Sequence, residues 1–192
     1  MASGNSTGNA AGNTDDNTLI FALIALAIAG RLIPHPDNFT PVAAMALFAG
    51  ALLPGWRASA AVLTALVVSD VLLGFAPDVF SVAVYAGFLA SIALGRWLGA
   101  QRTVLKTASA AIGGSLIFFI ITNFSVWAMP EAHGGVNYDH GLTGLIDCYV
   151  AALPFLRNAL AGDLFWAALL FGLHDFSRAR QLHATPIPVR HD

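Results

Sequence analysis

Residues 107–129 read TASAAIGGSLIFFIITNFSVWAM, and this stretch decides the fold. It holds no Asp, Glu, Lys or Arg. At about 1.5 Å per residue it extends about 35 Å as a helix. A hydrocarbon core about 30 Å thick needs roughly 17–25 mostly apolar helical residues. Lipid offers the backbone no hydrogen-bond partner, so only a helix or a closed barrel satisfies its N–H and C=O groups there. The stretch therefore predicts a membrane-crossing helix, ended by Pro130, which lacks the N–H that a further turn needs.

Outward from this segment, the same reading finds five more spans, at 19–33, 40–56, 58–75, 79–99 and 154–173. Pro34-His35-Pro36 stops the first, and Asn38 or Thr40 before Pro41 is expected to cap the second. Pro54-Gly55 closes the second and Ala76-Pro77-Asp78 the third. Between Pro130 and Leu153 lies a long connection, whose part 142–153 reads as a short interfacial or re-entrant helix carrying Asp147. The expected fold is an all-α integral membrane bundle of about six transmembrane helices with that one additional helix. Residues 1–18 are polar, contain no Lys or Arg, and are expected to be a disordered tail rather than a signal peptide. Residues 19–176 form the transmembrane domain, and 177–192 a polar tail.

Composition agrees. The chain of 192 residues is 57% hydrophobic and 10% charged, against about 45–50% and about 25% for soluble domains. Its mean hydropathy is +0.70. This excludes a disordered chain and, with a net charge of −2, a nucleic-acid binder. The single cysteine, Cys148, excludes a disulfide scaffold. No zinc-protease, serine-hydrolase, phosphate-loop or dinucleotide motif occurs, so no catalytic residue, cofactor or ATP hydrolysis is expected of the chain itself.

The cations are sorted. In a six-span topology Arg57, Arg96, Arg102, Lys106, Arg178, Arg180 and Arg190 share one side, and only Arg31 and Arg157 fall on the other. Because Lys and Arg accumulate in cytoplasmic loops, both termini are expected in the cytoplasm, with the chain in the inner (plasma) membrane.

Ionisable side chains inside spans are costly and need a reason. Arg31, Asp70, Asn123, Arg157 and Asp163 all fall at one depth, in the outer half of the expected bundle. They suggest a hydrophilic chamber for a small solute. His35 and Asn38 in one loop, and His133, Asn137, Tyr138, Asp139 and His140 in another, would close it. The alternative is a set of structural clasps in which the charges neutralise one another. His133, Asp139 and His140 match no strong metal-ligand spacing, so no metal site is assigned. Small residues recur at four-residue spacing: Gly87, Ser91 and Gly95; Ala25 and Ala29; Ala46 and Gly50; Ala61 and Ala65; Ala168 and Gly172. Such rows let helices approach closely in lipid, within the monomer or against a partner.

The run from Arg31 through Pro34-His35-Pro36-Asp37-Asn38-Phe39-Thr40 to Pro41 resembles the opening signature of a bacterial membrane family of unknown function that is grouped with transport proteins. Asn123-Phe124-Ser125-Val126-Trp127, the run from Cys148 to Phe155, Arg157-Asn158 and Gly162-Asp163 look like its later signatures. More distantly, that family is similar to the substrate-binding S components of energy-coupling-factor transporters. The resemblance implies six helices, cytoplasmic termini, capture of a small molecule from the outer side, and a membrane coupling subunit with two ATPases as partner. It further implies partner docking through small residues of the first helix, where Ala25 and Ala29 match. No vitamin-specific motif is present, so the substrate does not carry over. The expected function is uptake of a small polar solute across the lipid bilayer; the alternatives are a non-transporting scaffold and, behind it, an intramembrane enzyme.

Overall fold

The computed structural model describes residues 6–76, 78–99, 102–129 and 137–184. Six helices follow in order: α1 (Ser6–Leu32), α2 (Val42–Leu52), α3 (Arg57–Leu72), α4 (Val79–Leu98), α5 (Val104–Ala128) and α6 (Leu142–Ala184). Among the described residues there is no strand. Three segments, Val79–Leu98, Val104–Ala128 and Leu142–Gln181, are long and apolar enough to cross a membrane.

The stretch expected to be the second span lies at the centre of the molecule. α2 has 11 residues, about 16 Å of helix, shorter than the span expected at 40–56. Val42 and every residue from Ala44 to Gly50 are buried, and α2 touches all five other helices. A helix that is apolar all round is one enclosed on every side, and protein encloses it here. Small residues make this possible. A Cβ at Gly50 would overlap the backbone of Ile92, and one at Gly95 the backbone of Leu47 and Ala51. A Cβ at Gly87 would meet the Phe118 ring at 2.6 Å. These rows of α2 and α4 therefore hold the bundle together. Ala61 and Ala65 are buried on α3, whose main partner is α1. Ala25 and Ala29 are exposed on α1, while Leu23 and Ala27 of the same helix are buried. Ala168 and Gly172 are likewise exposed.

Three boundaries differ from the sequence reading. The polar segment expected to be a disordered tail is helical from Ser6. Once the apolar part of α1 is helical, each added residue gains a backbone bond without a new nucleus. The ion pair from Asp16 to Arg57 at 2.7 Å then fastens this extension to α3. The expected interfacial helix at 142–153 and span at 154–173 are one helix, α6, with Pro154 inside it. Proline removes one hydrogen bond, to the carbonyl of Val150, and a membrane helix tolerates this where neighbours pack on it. Tyr149 supplies such packing by donating to the carbonyl of Ile120 at 2.7 Å. Finally, α6 runs on to Ala184, into the expected polar tail.

The caps are local and mixed. Asp78 and Ser81 form a reciprocal capping box on α4, and the Thr103 hydroxyl accepts from the Lys106 N–H at 3.2 Å on α5. α2 has Pro41 at its N-cap and no side-chain cap, contrary to the expectation for Asn38 or Thr40. Asn38 instead takes φ 62°, a left-handed conformation that asparagine tolerates better than most residues. It sits in a turn closed by Phe39 N–H donating to the Pro36 carbonyl at 3.0 Å.

Ion pairs and polar bonds mark the two ends of the bundle. At one end Arg57 meets Asp16, Arg96 donates to the Gly55 carbonyl at 2.6 Å, and Arg102 pairs with Asp175. At the other end Arg31 meets Asp70, and Trp127 Nε1 donates to the Asp139 carbonyl at 3.0 Å. Arg190 lies outside the described residues.

Candidate functional site

Arg31 stands in the last turn of α1, where a cation complements the partial negative charge of the helix C-terminus. Its guanidinium crosses to α3. One terminal nitrogen lies 2.6 Å from Asp70 Oδ1. The other donates to Ser69 Oγ at 2.5 Å and to the Leu66 carbonyl at 3.4 Å. On the far side of the carboxylate, the Tyr85 hydroxyl of α4 donates to Asp70 Oδ2 at 2.8 Å. The Arg31 and Asp70 side chains are only 19% and 13% exposed, so each neutralises the other where water is scarce.

Beside this pair opens a cavity of about 670 Å³, walled by the α1–α2 loop, α4, α5 and α6. A second, of about 410 Å³, lies toward Tyr85 and Asp78, and both are lined by Arg31. The larger has the size of a typical small-molecule pocket. Its α5 wall is one helical face, on which Ser115, Phe118, Phe119, Thr122, Asn123 and Val126 follow at helical spacing. On this face the Ser115 hydroxyl donates to Asp163 Oδ2 at 2.6 Å, Thr122 to the Phe118 carbonyl at 2.8 Å, and the Asn123 amide to the Phe119 carbonyl at 2.8 Å. Asp163 is 5% exposed and stands behind Ser115 rather than in the cavity wall. Gly162 beside it lets the loop settle on α6: a Cβ there would lie 3.1 Å from Phe39 Cα.

Of the residues expected at the site, Arg31, His35, Asn38 and Asn123 line the cavity. Asp70 supports Arg31, and Asp163 supports Ser115. Arg157 is exposed and not part of the lining. Six residues at about 100° each place it about 120° around the helix from Asp163, so a shared depth did not mean a shared face. The sequence reading missed Ser115, Thr122 and the phenylalanines of the wall. Their signal was available in the polar residues Ser115, Thr122 and Asn123, which fall on one stripe of α5.

The second loop contributes less. His133 lies outside the described residues, as does the rest of 130–136. His140 packs against Trp127 in a tilted arrangement, with ring centroids 6.0 Å apart. Among the described residues no group of three His, Cys, Asp or Glu is placed to hold a metal ion. Buried Cys148 lies 3.4 Å from the Asn123 carbonyl, where it joins α6 to α5.

No curated protein and no solved structure matches the chain. The sequence profile of DUF6580, a family of unknown function, matches residues 12–185, and the chain belongs to that family.

Proposed function

We propose that the protein is a multi-pass membrane component that binds a small polar solute in the cavity beside Arg31 for uptake, with a separate partner supplying energy. The observation that carries this reading is the cavity of about 670 Å³ at the end of the bundle opposite Arg57, Arg96 and Arg102. With the arginine-rich end in the cytoplasm, the cavity faces outward, and both termini are cytoplasmic in the inner membrane. Trp56 and Trp97, exposed near the arginine-rich end, suit the inner headgroup region. The chain contains no phosphate loop, so it does not hydrolyse ATP itself; it acts as a carrier and takes energy from a coupling subunit with ATPases. The exposed Ala25–Ala29 face of α1 is the proposed docking row.

The test is gentle extraction into lipid nanodiscs followed by native mass spectrometry. The wild-type protein is expected to retain a small molecule that Ala159→Phe, which projects a ring into the cavity, releases without lowering the melting temperature. A second reading, a non-transporting scaffold, draws on the pairing of Arg31 with Asp70. It predicts no bound small molecule and a stable complex with unrelated membrane proteins.

A further inference from the structure

Hydrogen-bond accounting around the cavity points to the charge of its ligand, given the binding role proposed above. A serine or threonine hydroxyl has one proton and two lone pairs. The Ser115 proton is committed to Asp163, or to the Ala111 carbonyl at 3.1 Å, and the Thr122 proton to the Phe118 carbonyl. Both hydroxyls therefore present only lone pairs to the cavity. Asn123 has one amide N–H engaged by the Phe119 carbonyl, which leaves its Oδ1 as an acceptor beside the second N–H. His35 Nδ1–H is engaged by the Pro36 carbonyl at 2.8 Å. Arg31, the strong donor of the lining, is already bonded to Asp70, Ser69 and Leu66, and its charge is offset by Asp70.

The remaining charged residue of the lining is Asp37, exposed in the α1–α2 loop. Counting Arg31 as +1, Asp70 as −1 and Asp37 as −1, the cavity and its supporting pair carry −1. Half of the apolar residues of the wall are phenylalanines, including Phe88, Phe118, Phe119 and Phe155. Ring faces carry the negative side of the aromatic quadrupole and attract cations. Acceptors, a net negative charge and aromatic rings all favour one kind of guest.

We infer that the ligand is an organic monocation with an apolar body and a proton-donating head, such as an ammonium or amidinium group. The donors of the head meet Ser115, Thr122 and Asn123, and Asp37 draws the charge to the mouth.

The test is titration calorimetry of the full-length protein in phosphatidylcholine nanodiscs, with empty nanodiscs as reference. The probes are benzylammonium, benzyl alcohol and benzoate, which share a ring and differ in charge. Benzylammonium is expected to bind saturably, benzyl alcohol at least about tenfold more weakly, and benzoate not at all. Asp37→Asn is expected to weaken benzylammonium about three- to tenfold without changing the melting temperature. Ala159→Phe should abolish the binding. Benzoate or benzyl alcohol binding as tightly as benzylammonium, with Ala159→Phe still abolishing it, overturns the charge assignment and leaves the cavity reading standing. Failure of all three probes also overturns it, and the cavity reading is then judged separately by the native mass spectrometry above.

Discussion

Arg31 at the end of α1 and Asp70 near the end of α3 form an ion pair at 2.6 Å, in which Arg31 lines both cavities and Asp70 the smaller one. The pair is held from three elements, because Ser69 and Leu66 accept from the arginine and Tyr85 donates to the carboxylate. Removing one member leaves a part-buried charge without its partner, which costs more than the pair itself contributes. Arg31→Leu or Asp70→Leu alone is expected to lower stability by about 2–4 kcal/mol, and the double variant by less than either. Tyr85→Phe removes a single hydrogen bond to a charged group and should cost about 1–2 kcal/mol. Equilibrium unfolding in mixed detergent micelles measures all four; additive losses in the double variant would show that the two charges are not coupled.

Ser115 and Asp163 make a second, smaller clasp. The serine hydroxyl is the hydrogen-bond partner of a carboxylate that is otherwise enclosed by the bundle. Ser115→Ala should therefore cost about 1–3 kcal/mol, although it removes only one oxygen. Asp163→Leu, which removes the polar group that needs satisfying, should be less damaging than Ser115→Ala. The same unfolding measurement compares them, and the reverse order would assign Asp163 a further partner.

Close approach of α2 and α4 rests on hydrogen atoms where other residues carry a Cβ. Gly50 and Gly95 each sit against backbone of the facing helix, which cannot rotate away as a side chain can. Gly50→Ala and Gly95→Ala are each expected to destabilise by about 1–3 kcal/mol by overpacking. Gly172, with nothing within 4 Å of an added Cβ, should accept alanine at no cost in melting temperature. Ala25→Leu and Ala29→Leu, on the exposed face of α1, should likewise leave the fold intact while weakening any partner that co-purifies.

These contacts also show which parts of the molecule the sequence made legible. The apolar runs now in α4 and α5 gave helices within a few residues of their observed ends, because length, apolarity and proline punctuation are local properties. α2 is shorter than the span read at 40–56, and its enclosure by the other helices was not legible, since a short helix buried in protein and one buried in lipid are both apolar all round. α6 was divided between Leu153 and Pro154, and the packing that carries one helix through the proline comes from α5. Arg31, Asp70, Asn123 and Asp163 were found because charge and amide groups are conspicuous in apolar stretches. Arg157 was grouped with them on depth alone, which ignores azimuth. Ser115 and Thr122 were overlooked because single hydroxyls are common in such helices and become informative only when their partners are known.

The sorting of cations makes a prediction about orientation that labelling in cells can test. Arg57, Arg96, Arg102 and Lys106 all lie in or next to the α2–α3 and α4–α5 connections, and the cavity mouth around His35, Asp37 and Asn38 lies at the opposite end. The native thiol is Cys148, which is buried, so an introduced cysteine gives the readable signal. Asp37→Cys is expected to react in intact cells with a maleimide that cannot cross the membrane. Pro54→Cys, in the α2–α3 turn, is expected to react only after the cells are opened. Both positions are exposed, so lack of reaction reports the side of the membrane rather than burial. Labelling of Pro54→Cys in intact cells with protection of Asp37→Cys would invert the orientation, turning the cavity toward the cytoplasm and removing the basis for uptake from outside.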